Sequence, residues 1–168
     1  MVTPYDAVIV RYGEIALKGP VVRKSFEERL CSNISDCLEN VGIAHRIERR
    51  RGRILLKTSE ARQASVSLSK VFGIVSTSPA VTTGSSVEEI LASSLDLARH
   101  RIQMGTKFAV QTNRGDKSFP LTSQEINSKI GEAIRIETGA KVDLDNPEVK
   151  LGIDIREDTY IFDETVPG

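Results

Sequence analysis

The chain has 168 residues, 39% of them hydrophobic and 27% charged, and its formal net charge at pH 7 is zero. These values are ordinary for a globular protein, and no apolar run approaches the roughly 18 residues of a membrane-spanning helix. The N-terminal residues lack the basic and apolar regions of a signal peptide, which predicts a cytoplasmic protein that does not associate with membranes.

The zero net charge conceals an asymmetry between the two halves of the chain. Residues 1–75 carry 13 Lys and Arg against 8 Asp and Glu, a balance of +5. Residues 76–168 carry the other 10 basic and 15 acidic residues, a balance of −5. Such a split suggests a polyanionic partner for the first half.

The first half predicts alternating strands and helices. An unbroken apolar run at 7–10 is typical of a strand buried on both faces, and Gly42 is suited to end the first helix in a left-handed conformation. The predicted elements are strand 7–10, a helix ending near residue 41, strands 44–49 and 53–57, helix 60–72 and strand 74–83. This β-α-β-β-α-β order is the ferredoxin-like arrangement.

The second half predicts a further α/β domain. A short link after residue 83 marks the boundary, so the predicted domains are 1–83 and 84–168. Strict alternation of apolar residues over 149–155 predicts a half-buried strand. The predicted elements are a helix from the capping box at Ser86 and Glu89 to about residue 103, strand 107–113, a helix from Thr122 to near Gly139, and strands 142–144, 149–155 and 159–162.

The loop that precedes the helix at Thr122 is a candidate anion site. Thr122 and Glu125 have the spacing of a capping box, which specifies the helix start. Arg114 and Lys117 come just before it, although cations are unfavourable at the positive end of a helix dipole. A bound phosphate would explain them. The alternative is that Asp116 pairs with these cations in a solvated turn.

The N-terminus of the first helix has a similar character. Lys18, Arg23 and Lys24 gather near it, again against the preference of the helix dipole. One hypothesis is a surface that contacts phosphates. The alternative is that Glu14 and Glu27 neutralise these cations.

The remaining polar residues and the two cysteines do not indicate a specific site. Five arginines between residues 45 and 53 form a basic hairpin, which is more often a solvated face than a binding site. Cys31 and Cys37 lie roughly 9 Å apart along one predicted helix, too far for a disulfide. The sequence contains no evident nucleophile and base pair, phosphate-binding glycine loop or metal-ligand spacing. It therefore predicts no catalytic residue, metal or cofactor for this chain.

Three stretches resemble a known family. Residues 13–19, 114–127 and 141–147 are similar to the N-terminal half of tRNA 4-thiouridine synthetase, a tRNA sulfurtransferase also linked to the biosynthesis of the thiamine thiazole. The resemblance implies an α+β chain with a ferredoxin-like domain followed by a small α/β THUMP domain. It also implies a tRNA-binding unit that recognises the acceptor stem and the CCA end for 4-thiouridine modification.

The resemblance gives the candidate cations a role. They would contact tRNA phosphates, and an aromatic residue would support the second loop or stack on a base. The residues concerned are Lys18, Arg23 and Lys24 in the first domain and Arg114, Lys117, Ser118 and Phe119 in the second.

The chain also departs from the family pattern. It lacks the Ser-Gly-Gly-x-Asp-Ser loop of the ATP pyrophosphatase domain, so ATP and a sulfur donor would belong to that missing domain. Gly115 stands where a bulkier residue is expected. Two alternatives are open: a fragment or subunit of an ATP-dependent tRNA sulfurtransferase with a separate ATP pyrophosphatase partner, or a regulatory module that binds an anion or forms a homodimer without RNA.

Overall fold

The computed structural model describes residues 4–13, 19–50, 53–115 and 118–168. The chain forms two compact units: the first reaches Ala80 and includes Thr165–Gly168, and the second comprises Val81–Glu164. The predicted second domain, 84–168, contained the last four residues. They belong to the first unit because Val166 and Pro167 pair with its strand residues Thr77 and Ser76.

The first unit has the predicted ferredoxin-like order. Its elements are β1 (Ala7–Tyr12), α1 (Pro20–Asn40), β2 (Arg46–Arg50), β3 (Arg53–Lys57), α2 (Ala61–Leu68) and β4 (Ile74–Thr83). The strands lie in the order β2-β3-β1-β4, and all neighbours are antiparallel. The ferredoxin-like fold is therefore confirmed.

The core of this unit forms between the central strand and the two helices. All four residues of the apolar run 7–10 are fully buried, as expected for a strand covered on both faces. Leu30, Ile34 and Leu38 of α1 are also almost fully buried, because a spacing of four residues places them on one helix face. Gly42 has φ 74°, the left-handed conformation predicted for the end of this helix.

Helix α2 is shorter than predicted. It ends at Leu68, and the backbone N–H of Ile74 donates to the Val71 carbonyl in the turn that follows. Gly73 adopts φ 96°, and the side chain of Phe72 is 92% exposed. The predicted helix 60–72 is therefore four residues too long at its end, because the turn closed by Gly73 directs Phe72 outward.

The second unit is the predicted small α/β domain. Its elements are α3 (Val87–Arg101), β5 (Lys107–Arg114), α4 (Ser123–Thr138), β6 (Lys141–Val142), β7 (Val149–Ile155) and β8 (Thr159–Phe162); β9 (Val166–Pro167) returns to the first unit. Strand β5 lies between β6 and β7 and is parallel to both. Strand β8 is antiparallel to β7 and pairs with the last three residues of β4.

Strand β7 is more deeply buried than its alternation predicts. Every residue from Leu151 to Ile155 is buried, including the carboxylate residue Asp154. Gly152 lies opposite Phe162, whose ring occupies the space where a β-carbon would stand. The second face of the strand is covered because glycine leaves room for this aromatic ring.

Candidate nucleic-acid interface

The N-terminus of α1 has no acidic neighbour in its first turn. Gly19 occupies the N-cap position, Pro20 follows it, and no side chain of the described residues caps the helix. Lys24 is exposed and Arg23 is half-buried. We call Gly19, Arg23 and Lys24 the α1 patch. Free backbone N–H groups, the helix dipole and two cations combine there in favour of an anion.

A polar cluster of Tyr12, Glu27 and Arg49 lies close to Arg23 of the α1 patch. Glu27 is only 7% exposed, and its carboxylate lies 3.1 Å from Nη2 of Arg49 on β2. Burial, followed by the nearby Glu27 carboxylate, raises the pKa of Tyr12 to about 12, while Arg23 opposes that rise. In the alternative interpretation of the sequence, Glu27 helps to neutralise the cations of the helix. Its carboxylate is paired with the hairpin residue Arg49.

The basic hairpin is partly paired within the unit. Besides the pair of Arg49 with Glu27, Arg46 lies 2.9 Å from the carboxylate of Glu48. The hairpin tip at 51–52 lies outside the described residues. These pairs favour the interpretation of the hairpin as a solvated face over that of a binding surface.

The loop before α4 forms the second candidate surface. We call Arg114, Gly115, Ser118 and Phe119 the α4 patch. Nη1 of Arg114 donates to the carbonyl of Phe119 at 3.4 Å, which ties the two ends of the loop together. Ser118 is exposed, whereas Phe119 is half-buried beside the apolar residue Ile90 of α3. The position of Phe119 favours loop support over base stacking.

The start of α4 carries the complete predicted capping box. The Thr122 hydroxyl accepts from the Glu125 backbone N–H at 3.1 Å, and Glu125 accepts from the Thr122 backbone N–H at 3.0 Å. The pKa of Glu125 is lowered, first by that backbone hydrogen bond, then by the Thr122 hydroxyl and also by Arg114. A carboxylate therefore already occupies the positive end of this helix.

A cation that the sequence did not single out lies at the same loop. The backbone N–H of Gly115 donates to the carbonyl of Ile155 at 2.8 Å, next to Arg156. A β-carbon added at Gly115 would lie 3.0 Å from Cγ, Cζ and Nη1 of Arg156. The side chain of Arg156 thus lies against Gly115, and any larger residue there would press on it.

Two family profiles match almost the whole chain. The profile of the ThiI ferredoxin-like domain matches residues 7–78, and that of the THUMP domain matches residues 84–162. The chain belongs to these two domain families. The first unit contains the ThiI ferredoxin-like domain and the second contains the THUMP domain.

Individual proteins agree with this assignment. A protein of Methanothermobacter thermautotrophicus named probable tRNA sulfurtransferase is 41% identical over 175 aligned positions, which cover 100% of this chain and 43% of the relative. The chain therefore spans less than half the length of that relative.

Two solved structures share the fold. PH1313 from Pyrococcus horikoshii superposes with a TM-score of 0.87 at 38% identity, covering 97% of this chain and 55% of that protein. A 4-thiouridine synthetase in complex with RNA and ATP superposes with a TM-score of 0.81 at 32% identity, covering 97% of this chain and 42% of the synthetase.

The structure divides the predicted contact residues between the two domains. The structure describes five of them: Arg23 and Lys24 in the ThiI ferredoxin-like domain, and Arg114, Ser118 and Phe119 in the THUMP domain. The other two, Lys18 and Lys117, lie outside the described residues. The alternative partners Glu14 and Asp116 also lie outside them. The structure adds Arg156, which the sequence analysis missed. Its signal was the unexpected glycine at position 115, but the strand register that brings Arg156 there is visible only in the fold.

Two features are absent from the described ranges 4–13, 19–50, 53–115 and 118–168. None of their helices is long and apolar enough to cross a membrane. They also contain no group of three or more His, Cys, Asp and Glu residues placed to hold a metal ion.

Proposed function

We propose that this chain binds tRNA, holding the acceptor stem and the single-stranded CCA end for 4-thiouridine modification. The observation that carries the proposal is the 32% identity, over 97% of the chain, to a 4-thiouridine synthetase solved in complex with RNA. The two cationic patches give that likeness a physical basis. Each provides positive charge at a helix N-terminus, where phosphate groups bind readily.

Each patch has a distinct part in the proposal. Lys24 and Arg23 contact backbone phosphates at the start of α1, where no acidic side chain competes in the first turn. Arg114 and Lys117 contact phosphates at the loop before α4, and Ser118 donates a hydroxyl hydrogen bond. Specificity comes from the shape of the stem, its 2′-hydroxyl groups and the free end rather than from base sequence within the duplex.

The ATP-dependent step is proposed for a different part of the protein. The chain spans 43% of the length of the Methanothermobacter relative, and we place ATP binding and sulfur transfer in the remainder of such proteins or in a partner subunit. The link to thiamine thiazole synthesis and the cytoplasmic location belong to the same proposal.

Fluorescence anisotropy with labelled tRNA tests the proposal. We expect the logarithm of the association constant to fall linearly with the logarithm of the salt concentration, with a slope of about −0.7 to −0.9 for each phosphate contact. Removal of the CCA end should weaken binding further at every salt concentration. A slope near zero would contradict the phosphate contacts, and equal binding of both tRNAs would contradict recognition of the free end.

Three further measurements separate the two alternatives. If the chain is a regulatory module, tRNA will show no mobility shift, and either inorganic phosphate will bind or sedimentation will show a homodimer. If an ATP pyrophosphatase subunit completes the enzyme, 4-thiouridine will form only when that subunit, ATP and a sulfur donor are added.

A further inference from the structure

Strands β5 and β7 run parallel, so their C-terminal ends lie at the same edge of the THUMP sheet. Arg114 pairs in register with Ile155, and the chain then places Gly115 beside Arg156. Two arginines from strands distant in sequence therefore emerge at one edge. The sequence separates them by 42 positions, which hides the pairing from any local motif.

Neither guanidinium is fully neutralised by the contacts that the structure gives it. Nη1 of Arg114 donates to the Phe119 carbonyl, and its buried Nε has no hydrogen-bond partner among the described residues. Nε of Arg156 lies 3.4 Å from a carboxylate oxygen of Asp154, a long ion pair, and the side chain of Arg156 is 34% exposed. The backbone carbonyl of Arg156 accepts from the Ser85 hydroxyl at 3.2 Å, which fixes the start of its side chain.

We propose that Arg156 is a phosphate-binding residue of the THUMP domain and acts beside Arg114 on one segment of the tRNA backbone. This inference rests on the proposed function and adds a residue to its second patch. A guanidinium presents several donors in a planar fork that matches phosphate oxygens. Gly115 favours this placement, because a β-carbon at that position would press on Cγ, Cζ and Nη1 of Arg156.

The test measures tRNA affinity and its salt slope for Arg156→Ala against Arg135→Ala. Arg135 is a matched control: it is in the same domain, is 51% exposed and pairs with Glu132 at 2.6 Å. We expect Arg156→Ala to bind about tenfold more weakly, with a slope smaller by about 0.8, as for one lost phosphate contact. Arg135→Ala should change affinity less than twofold.

Two further variants separate phosphate binding from a structural role. Gly115→Ala retains every charge but displaces the guanidinium, so it should weaken binding about threefold in the native background and have no effect in the Arg156→Ala background. Asp154→Asn releases Arg156 from its carboxylate and should tighten binding about twofold to fivefold, the range of a weak ion pair. A structural role for the pair predicts that Asp154→Asn weakens binding and that Gly115→Ala still weakens it in the Arg156→Ala background.

The outcomes also distinguish a failure of the role of Arg156 from a failure of the proposed tRNA binding. If the native chain shows no salt-dependent tRNA binding, both are overturned. If Arg114→Ala weakens binding while Arg156→Ala leaves affinity and slope unchanged, only the role of Arg156 is overturned. Because Arg156→Ala leaves Asp154 buried without this partner, Arg156→Lys is measured as well: retention of the slope with weaker affinity supports the fork contact, and native affinity overturns it.

Discussion

The two helix N-termini that face the candidate cations are built differently. Helix α4 starts with a complete capping box, and the Glu125 carboxylate lies within its first turn. Helix α1 starts after Gly19 with no side-chain cap and no acidic residue in its first turn. The first arrangement satisfies the helix end within the protein, whereas no side chain of the described residues does so at the second. We therefore expect the α1 patch to contribute more to tRNA affinity and the α4 capping box to contribute more to stability.

The largest expected effect is the loss of the α1 cations. Arg23→Ala combined with Lys24→Ala should weaken tRNA binding by about 3 kcal/mol, since each charge-assisted phosphate contact contributes roughly 1.5 or more. Anisotropy titrations at fixed salt measure it. Arg99→Ala combined with His100→Ala, on the exposed last turn of α3, is the control and should have little effect. Equal affinity of the native chain and the α1 variant would remove this patch from the interface.

A smaller loss is expected at the α4 patch. Arg114→Ala combined with Lys117→Ala should weaken binding by about 2 kcal/mol, because the Glu125 carboxylate already offsets part of the local positive charge. The change should also cost about 1 kcal/mol of unfolding free energy through the lost hydrogen bond to Phe119. A larger affinity loss here than at α1 would reverse the comparison.

The stability difference is tested at the caps themselves. Thr122→Ala should lower the free energy of unfolding by about 1 kcal/mol, because it removes one side of the capping box. Gly19→Ala should cost less, because no side-chain hydrogen bond is lost and alanine can adopt the φ of −46° found there, which lowers the entropy of the unfolded chain. Urea denaturation measures both. Equal costs would mean that the capping box is not what distinguishes the two helices.

A carboxylate introduced at α1 should make the two helices alike. Gly19→Asp supplies a cap and a negative charge, which should add about 0.5 kcal/mol of stability. The site has room, because a β-carbon at Gly19 would meet no atom within 4 Å. The same change should weaken tRNA binding several-fold by competing with phosphate. Gly19→Ser, a cap without the charge, should stabilise the helix and weaken binding less.

The smallest effect at neutral pH is expected at Tyr12. Tyr12→Phe should leave tRNA affinity unchanged there, because the tyrosine supports the patch without belonging to it. The raised pKa favours the neutral phenol in the folded state, so its contribution is fully present below pH 10 and is lost as the pH rises from 10 towards about 12. Thermal melting across that window should show a steeper loss for the native chain than for the variant. Parallel curves would contradict the shift.

Sequence patterns predicted the elements that carry a strong local signal. The strands 74–83 and 149–155 and the capping box at Thr122 lie where the pattern placed them, because periodicity and cap chemistry act over a few residues. Strand β9 was missed, since two residues have no periodicity to detect. The neighbourhood of Gly115 and Arg156 could not be predicted either, because it depends on which parallel strands become neighbours and in which register.

The return of β9 to the first unit means that the ThiI ferredoxin-like fold is encoded by two separate stretches of the chain, with the THUMP domain inserted between them. A protein cut after Ala80 would lack β9 and leave the backbone groups of Ser76 and Thr77 open at the edge of the sheet. Unpaired strand edges recruit strands from other molecules. The first domain expressed alone should therefore self-associate, and a short linker that restores residues 165–168 should suppress that association.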